Sequence, residues 1–422
     1  MNSVKTAIAL KPASRSIYRA PVLKTLRAFS CGRLEMQLPD GEMLVLGNQN
    51  LSAGSEAAAR VIVRDEGFFK KCALGGGVGL GESYIDGDWD TSDIRKVIEW
   101  FILNLHADKK LRGSSQKFRI VGILNFLDRI GHRLRHNSKE TSRRNIEEHY
   151  DLGNAFYKLW LDPSMTYSAA RFTAPDQTLE EAQRAKYDAL CEKLQLKACD
   201  HVLEIGCGWG GFSCHAASKY GCRVTALTIS QAQFNEATRR VKEAGLEEKI
   251  EIRLQDYRDI TGQFDKIASI EMLEAVGHKY HNTWAAKCNE VLKPDGLLAV
   301  QMITVPDGDY ADLKRGTDFI QKHIFPGSLL LSLGRMGEVL QNSGNFLLYG
   351  MEDLGIGYAR TLSQWHVNFN LQLEDVRALG FSEAFIRKWN YYLKYCEAAF
   401  ATRNISVVQA VYTRPCNRSL EG

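Results

Sequence analysis

The chain has 422 residues, a formal net charge of +4, 45% hydrophobic residues and 25% charged residues, an ordinary balance for a globular protein with room for two domains. No apolar run approaches the roughly 18 to 20 residues that a membrane-spanning helix needs. The 10 cysteines are scattered without CxxC or CxxH spacing, which argues against a disulfide framework or a zinc site. We expect buried free thiols, such as Cys207 and Cys222, in a reducing cytoplasm.

Residues 1–108 predict a small α+β accessory domain. Its short strand-like runs are 33–38, 43–46 and 59–63. We interpret the glycine-rich segment 75–84 as a structural turn, because three consecutive glycines without a following Lys-Ser/Thr make a poor phosphate loop. The first acidic residue is Glu35, after several lysines and arginines. This acid-free start predicts a basic arm at a membrane surface, with an organelle presequence or a tail of no special role as the alternatives.

Residues 109–144 are the most basic stretch of the chain. They contain 11 lysines and arginines but only two acidic residues, Asp128 and Glu140. Five apolar residues fall at helical spacing: Ile120, Ile123, Leu124, Leu127 and Leu134. The pattern predicts a basic amphipathic linker helix that lies on anionic headgroups. The alternatives are packing against the next domain or against a second subunit in a homodimer. No motif supports a nucleic-acid partner.

Strand-like and helix-length segments alternate from about residue 145 onward, which predicts a doubly wound, mostly parallel α/β sheet within a domain of residues 145–422. The predicted strands are 201–205, 223–227, 250–254, 264–270 and 297–302, and the predicted helices include 179–193 and 231–244. Residues 310–414 are predicted to be mostly helical, and their aromatic side chains could wall a pocket. These are Trp365, Trp389, Tyr391 and Tyr392.

The strongest motif is the loop that follows the first of these strands. The strand ends with Glu204-Ile205, and Gly206-Cys207-Gly208-Trp209-Gly210-Gly211 then turns the chain into a helix. Glycines at the carboxyl end of a parallel strand let the backbone approach a ligand closely. The Glu-x-Gly-x-Gly form differs from the GxGxxG of a dinucleotide fold, so it favours a cofactor without a pyrophosphate.

This loop and its flanking segments resemble the cyclopropane-fatty-acyl-phospholipid synthase family. The resembling segments are 79–84, 86–89, 149–154, 161–168, 203–211, 224–230, 254–258, 271–277, 319–327 and 391–400. They cover most of the chain in order. The resemblance implies a class I methyltransferase fold. It also implies an enzyme that transfers the methyl of S-adenosylmethionine to the cis double bond of an unsaturated acyl chain in a membrane phospholipid. A cyclopropane ring results, and the helical insertion covers the acyl chain.

The resemblance also implies the cofactor pocket. The residues that would line S-adenosylmethionine are Tyr167, Gly206, Gly208, Ile229 and Gln233, with Tyr257 near the adenine. His149 and Asp151 suggest an acid–base pair, but no third group marks a triad, so we interpret them as part of a gating segment. We predict no metal. Glu274 lies near His278 and His281 in the sequence, but we expect the two histidines to be on the surface.

The catalytic residues that the resemblance implies act on the cation that methyl transfer leaves on the acyl chain. An alkene needs no base to activate it, so proximity to the electrophilic methyl in a dry pocket carries the first step, and aromatic faces stabilise the resulting cation. The resemblance implies that bound bicarbonate then removes a proton. Its holders would be Glu274, Tyr358 and the backbone amide of Ile303, with Gln301 where the family has His and Ala169 where it has an active-site Cys. Gln301 can donate a hydrogen bond but carries no positive charge.

These departures leave methyl transfer intact and open the question of the product. Loss of a proton from the new methyl closes the cyclopropane, which is the outcome we favour. Loss from the neighbouring chain carbon would leave a methylated or methylene-bearing alkene, which a partner oxidoreductase could reduce to a methyl branch. Two rival functions are a small-amine N-methyltransferase and a lipid-binding protein without turnover. We expect a cytoplasmic protein, peripheral on the inner face of the cytoplasmic membrane.

Overall fold

The computed structural model describes residues 15–51, 58–107 and 152–420. They form two compact units, one on each side of residue 122. The predicted linker helix at 109–144, with His149 and Asp151, lies outside the described residues. None of the described helices is long and apolar enough to cross a membrane.

The described residues of the N-terminal unit form a four-stranded sheet and three helices, as the α+β pattern predicts. Its elements are α1 (Arg19–Arg27), β1 (Arg33–Gln37), β2 (Met43–Gly47), β3 (Ala58–Val63), α2 (Gly67–Ile85), β4 (Trp89–Asp90) and α3 (Ile94–Ala107). The strand order is β2-β1-β3-β4. Strands β1 and β3 are parallel, and the other two pairs are antiparallel.

The interpretation of the glycine-rich segment as a turn is wrong, because residues 75–84 lie inside α2. The helix kinks at Gly76, where φ is 56° and ψ is −129°. A Cβ built on Gly79 would lie 1.9 Å from the carbonyl oxygen of Lys71. The glycines therefore bend a helix back on itself and allow its two halves to touch.

The basic arm expected before Glu35 lies only partly on the surface: Lys24 and Arg27 of α1 are exposed, but Arg19 is not, and contact of this segment with a membrane stays a prediction. The Arg19 side chain is buried, and its guanidinium lies 2.8 Å from Asp40, 3.0 Å from Glu66 and 3.3 Å from Glu42. A buried guanidinium needs such partners, because an unpaired buried charge is strongly destabilising. These ion pairs therefore fix the start of α1 to the rest of the unit.

The C-terminal unit is built on a seven-stranded sheet of order β10-β11-β9-β8-β5-β6-β7. Its strands are β5 (His201–Ile205), β6 (Arg223–Thr228), β7 (Ile250–Leu254), β8 (Phe264–Ile270), β9 (Leu292–Thr304), β10 (Leu347–Asp353) and β11 (Ser406–Thr413). Strands β5 to β9 are parallel, and β11 runs antiparallel to both of its neighbours. The sheet is therefore mostly parallel, as predicted, but β10 and β11 were not predicted.

The helices that accompany this sheet among the described residues run from α4 to α14. They are α4 (Asn154–Lys158), α5 (Leu179–Lys193), α6 (Gly211–Tyr220), α7 (Gln231–Glu243), α8 (His281–Val291), α9 (Asp307–Arg315), α10 (Phe319–His323), α11 (Leu333–Gly344), α12 (Gly355–Leu371), α13 (Leu373–Ala378) and α14 (Glu383–Ala401). Helix α4 is a short turn before the first full βα unit.

Alternate residues of each strand pack against helices on opposite faces of the sheet. Leu203 packs in one cluster with Trp284 of α8 and Met336 of α11. Its neighbour Val202 packs in another cluster with Phe212 of α6 and Val241 of α7. Both faces of the sheet are therefore covered, which confirms the doubly wound fold.

The strand order reverses at β5, since β6 and β7 lie on one side of it and β8 and β9 on the other. Open α/β sheets bind ligands in the crevice at the carboxyl ends of the strands that flank such a reversal. The glycine loop follows β5 and Glu271 follows β8. The fold therefore places these two segments where such sheets bind ligands.

Candidate active site

The glycine loop combines one tightly packed position with one open position. At Gly206 φ is 86°, and a Cβ there would lie 2.7 Å from Cγ of Met272. At Gly208 φ is 53°, and a Cβ would meet nothing within 4 Å. Gly206 therefore lets the loop contact the segment after β8. Gly208 leaves open space beside the backbone, which fits the close approach expected for S-adenosylmethionine.

The other residues predicted to bind the cofactor follow β6 and β7. Ser230 caps α7, because its hydroxyl accepts a 3.3 Å hydrogen bond from the backbone N–H of Gln233. Thr228 Oγ1 donates a hydrogen bond to the side-chain oxygen of Gln233, Oε1, at 2.9 Å. Ile229 lies between these two polar residues. Tyr257 begins a 3₁₀ turn shortly after β7. All of these segments follow parallel strands at the same edge of the sheet. That these residues line S-adenosylmethionine stays a prediction, and their placement agrees with it.

Aromatic rings surround Tyr167, the remaining residue of the predicted cofactor set. Its ring centroid lies 5.3 Å from that of Trp365, 5.4 Å from Trp160 and 5.5 Å from Tyr157. Its hydroxyl lies 2.7 Å from that of Tyr392. Trp365 is buried and also lies 6.0 Å from Tyr358. This aromatic wall therefore joins the predicted cofactor residue to a predicted catalytic residue.

Three of the predicted catalytic residues converge on Glu271, which sequence reasoning missed. Its Oε1 accepts hydrogen bonds from the backbone amide of Ala169 at 2.8 Å and from Gln301 Nε2 at 2.7 Å. Its Oε2 accepts one from the Tyr358 hydroxyl at 2.8 Å. Each of these three donors favours the ionised form of the carboxylate. The available signal was its place directly after a parallel strand.

The other two predicted catalytic residues form a separate pair. Glu274 is buried, and its Oε1 accepts a 2.6 Å hydrogen bond from the backbone amide of Ile303. Its Oε2 has no hydrogen-bond partner among the described residues. The five residues are thus divided between two neighbouring carboxyl groups, Glu271 and Glu274.

These two carboxyl groups have different electrostatic environments. Burial, together with the charge of Glu271, raises the pKa of Glu274 to about 8. Burial also raises the pKa of Glu271, while the Ala169 and Gln301 hydrogen bonds, the Lys186 charge and the Tyr358 hydrogen bond lower it. The stronger donor set therefore favours charge on Glu271 and a proton on Glu274. Paired carboxyls separated in this way can divide the roles of base and acid.

The raised pKa of Glu274 predicts a pH dependence of stability. Between its ordinary pKa of 4.5 and about 8, the folded state keeps the proton that the unfolded state has lost. The free energy of unfolding should therefore fall as pH rises through this interval. Glu274→Gln should make that fall shallower. Urea denaturation at several pH values measures it, with substitution of the exposed Glu248 by Gln as the control that keeps the wild-type slope. Equal slopes for both variants would contradict the assignment.

The expectation that both histidines near Glu274 are on the surface is wrong for His281. Its side chain is buried at the start of α8, and neither ring nitrogen has a hydrogen-bond partner among the described residues. Burial lowers the pKa of His281 to about 3, so the ring is neutral. His278 is half-buried, with Nδ1 2.7 Å from the Tyr310 hydroxyl. Within the described part of the chain, no three acidic, His or Cys side chains are grouped to hold a metal.

Comparison with known proteins connects this site to lipid methylation. A family model described as mycolic acid cyclopropane synthetase matches residues 137–410. The cyclopropane-fatty-acyl-phospholipid synthase of Escherichia coli K12 is 35% identical over 393 residues, covering 92% of this chain and 97% of that protein. The tuberculostearic acid methyltransferase of Mycobacterium tuberculosis is 32% identical over 412 residues, covering 94% of each. A crystal structure of a mycolic acid cyclopropane synthase complexed with SAH and CTAB has a TM-score of 0.60 at 30% identity, covering 64% of this chain and 98% of that one.

Proposed function

The chain belongs to the mycolic acid cyclopropane synthetase family and is an S-adenosylmethionine-dependent lipid methyltransferase of the cyclopropane synthase type, and from that premise we propose a specific reaction. In this reaction the enzyme adds the methyl carbon to the cis double bond of an unsaturated acyl chain in a membrane phospholipid, giving a cyclopropane ring. The Escherichia coli relative, named for this reaction and similar over 92% of the chain, supports the choice of substrate.

The observation that carries this proposal is a buried carboxylate beside an aromatic wall. Bound S-adenosylmethionine supplies an electrophilic methyl. The double bond would take this methyl as the carbon–sulfur bond breaks with its electron pair left on sulfur, and a positive charge would develop on the acyl chain. The ring centroid of Trp365 lies 5.3 Å from that of Tyr167 and 6.0 Å from that of Tyr358, and π faces in this wall would stabilise that charge. Glu271, bonded to Tyr358, places an anion at the same wall. Such a wall would stabilise a cation that develops on a hydrocarbon chain.

A second product is favoured by a second relative. The tuberculostearic acid methyltransferase is similar over 94% of this chain and carries no cyclopropane in its name. If the proton leaves a chain carbon instead of the new methyl, the product is a methylated alkene, and a partner oxidoreductase with a hydride donor would complete a methyl branch. A methylene-bearing chain is a third outcome of the same methyl transfer.

Deuterium labelling should distinguish these outcomes. The purified protein is incubated with dioleoyl phosphatidylglycerol vesicles and S-adenosylmethionine that carries a CD₃ group, and the acyl esters are analysed by mass spectrometry and proton NMR. A cyclopropane retains two of the three deuterium atoms, both on the ring methylene, and keeps two ring methine protons upfield, whereas a methylene-bearing chain retains two deuterium atoms but has no such ring protons. A chain methylated with proton loss from the chain retains all three. Transfer of label to a soluble amine, with none to lipid, would contradict both lipid proposals.

The cellular setting proposed here is the cytoplasm, peripheral on the inner face of the cytoplasmic membrane, where the phospholipid is accessible. Co-sedimentation with vesicles of differing anionic content tests that placement, and a fall in binding with rising salt is expected if basic residues make the contact. Oligomeric state, including the homodimer left open by the sequence, is measured in the same preparations by light scattering.

A further inference from the structure

The backbone at Glu271 is in a conformation that residues other than glycine rarely adopt. Its φ is 47°, in the left-handed region that favours glycine. A residue other than glycine persists in this region only where the surrounding structure holds it, and such strain concentrates at functional sites. The strained residue here is also the one whose carboxylate collects three donors. The strain therefore accompanies a specific placement of this carboxylate.

The donors around Glu271 are fully engaged. The single hydrogens of the Ala169 amide and the Tyr358 hydroxyl are both donated to Glu271. Gln301 Nε2 has two hydrogens, and it donates to Glu271 Oε1 at 2.7 Å and to the Ala169 carbonyl at 3.2 Å. These are three of the groups that the family resemblance assigns to a bound bicarbonate. With their hydrogens used, they do not fit a second anion in this arrangement.

A chain of hydrogen bonds fixes Gln301 as a donor to Glu271. Gln301 of β9 lies opposite Gln409 of β11 in the strand register. Lys193 Nζ lies 2.6 Å from Gln409 Oε1, and Gln409 Nε2 donates to Gln301 Oε1 at 3.0 Å. An ammonium can only donate hydrogen bonds, so the Gln409 side chain must present its oxygen to Lys193 and its NH₂ group to the oxygen of Gln301. The NH₂ group of Gln301 must then point toward Glu271.

A buried ammonium adds a further electrostatic contribution. Lys186 is fully buried, and its Nζ donates to Ser168 Oγ at 2.7 Å. Its positive charge favours the ionised form of Glu271. Lys186 and the hydrogen-bond chain through Gln409 therefore both oppose the effect of burial and favour the charged state of the same carboxylate.

We propose that Glu271 is the base of the reaction, a carboxylate built into the chain at the position that the resemblance assigns to bicarbonate. This inference rests on the proposed function. When the new carbon–carbon bond has formed and the carbon–sulfur bond has broken with its electron pair left on sulfur, Glu271 takes a proton from the new methyl. The electron pair of that carbon–hydrogen bond closes the ring, and Glu271 later releases the proton to water.

The first arm of the test measures anion binding without catalysis. Glu271→Gly removes the carboxylate, keeps the backbone conformation comfortable and frees the donors of Ala169, Gln301 and Tyr358. Titration with ¹³C-bicarbonate, followed by NMR line broadening, should detect binding to E271G and none to the wild-type protein. Glu271→Gln, whose amide still fills the site, is the matched control and should also bind none. Equal binding by the wild-type protein and E271G would overturn the proposal.

The second arm measures lipid methylation in buffer purged of carbon dioxide. Wild-type activity should not change when bicarbonate is added. E271G should lose at least about 100-fold and regain part of it with bicarbonate, whereas E271Q should lose as much and regain none. A wild-type enzyme that depends on added bicarbonate, or E271G that stays active without it, would overturn the role of Glu271. If the wild-type protein methylates no lipid in either buffer, the proposed function fails, and the binding arm still decides what occupies the site.

Discussion

Gly206→Ala should raise the Kd for S-adenosylmethionine by about 100-fold, which corresponds to roughly 3 kcal/mol. The new Cβ would lie 2.7 Å from Cγ and 3.0 Å from Cβ of Met272, atoms too near the backbone to move freely. The φ of 86° adds strain for any residue with a side chain. Because Met272 directly follows Glu271, the displacement should also lower turnover with bound cofactor. Isothermal titration calorimetry measures the affinity.

The matched control is Gly245→Ala. Gly245 also has a positive φ, 64°, but a Cβ there meets nothing within 4 Å. This substitution should cost about 1 to 2 kcal/mol of stability from backbone strain alone and leave the cofactor affinity unchanged. A Gly206→Ala protein that binds S-adenosylmethionine within threefold of wild type would contradict the packing argument at the loop.

Trp365→Ala should lower the free energy of unfolding by about 3 to 5 kcal/mol, the range for truncating a large buried aromatic. Trp365 is fully buried and contacts the rings of Tyr167, Trp160 and Tyr358. Truncation leaves a cavity in the aromatic wall, so lipid methylation should fall as well. Urea denaturation followed by circular dichroism measures the stability change.

Trp365→Phe tests whether a smaller aromatic ring at the same position maintains the packing. The indole nitrogen of Trp365 has no hydrogen-bond partner among the described residues, so the smaller ring loses volume but no hydrogen bond. We expect a loss well below that of the alanine variant and retention of measurable activity. Equal losses for both variants would contradict this and show that the packing requires the whole indole.

Much of the sheet could be predicted from the sequence because its central strands β5 and β8 are buried on both faces and read as mostly apolar runs. The strands β5, β7 and β8 have the predicted bounds, as does α5. Helix α5 begins at a capping box in which Thr178 and Glu181 bond each other's backbone, a local signal that needs no tertiary context. Such segments have patterns that their neighbours do not override.

The elements that were missed depend on tertiary contacts. Strand β10 is an edge strand with Leu347, Leu348 and Tyr349 exposed, so it lacks the alternation of apolar and polar residues that marks a half-buried strand. The kinked helix α2 contains the run Gly75–Gly77, which local propensity alone reads as a turn. In both cases pairing or packing with distant residues outweighs the local preference.

The residues around the carboxyl group of the candidate site were predicted, but Glu271, which carries that group, was not. Ala169, Gln301 and Tyr358 were expected around an anion, and they do surround one. The sequence pointed to Glu274, because the resembling motif centres on it. A left-handed backbone at Glu271 cannot be read from residue type, since glutamate rarely adopts it. The position of the carboxylate therefore required the structure.

The left-handed backbone at Glu271 also has a genetic consequence. Glycine is the residue that this conformation favours, and codons for glycine and glutamate can differ by a single base. One point mutation thus separates a chain that carries its own carboxylate from one that leaves the cradle open to a dissolved anion. If Glu271 acts as proposed, reliance on the carbon dioxide supply of the cell is a trait that this lineage could gain or lose in one mutational step.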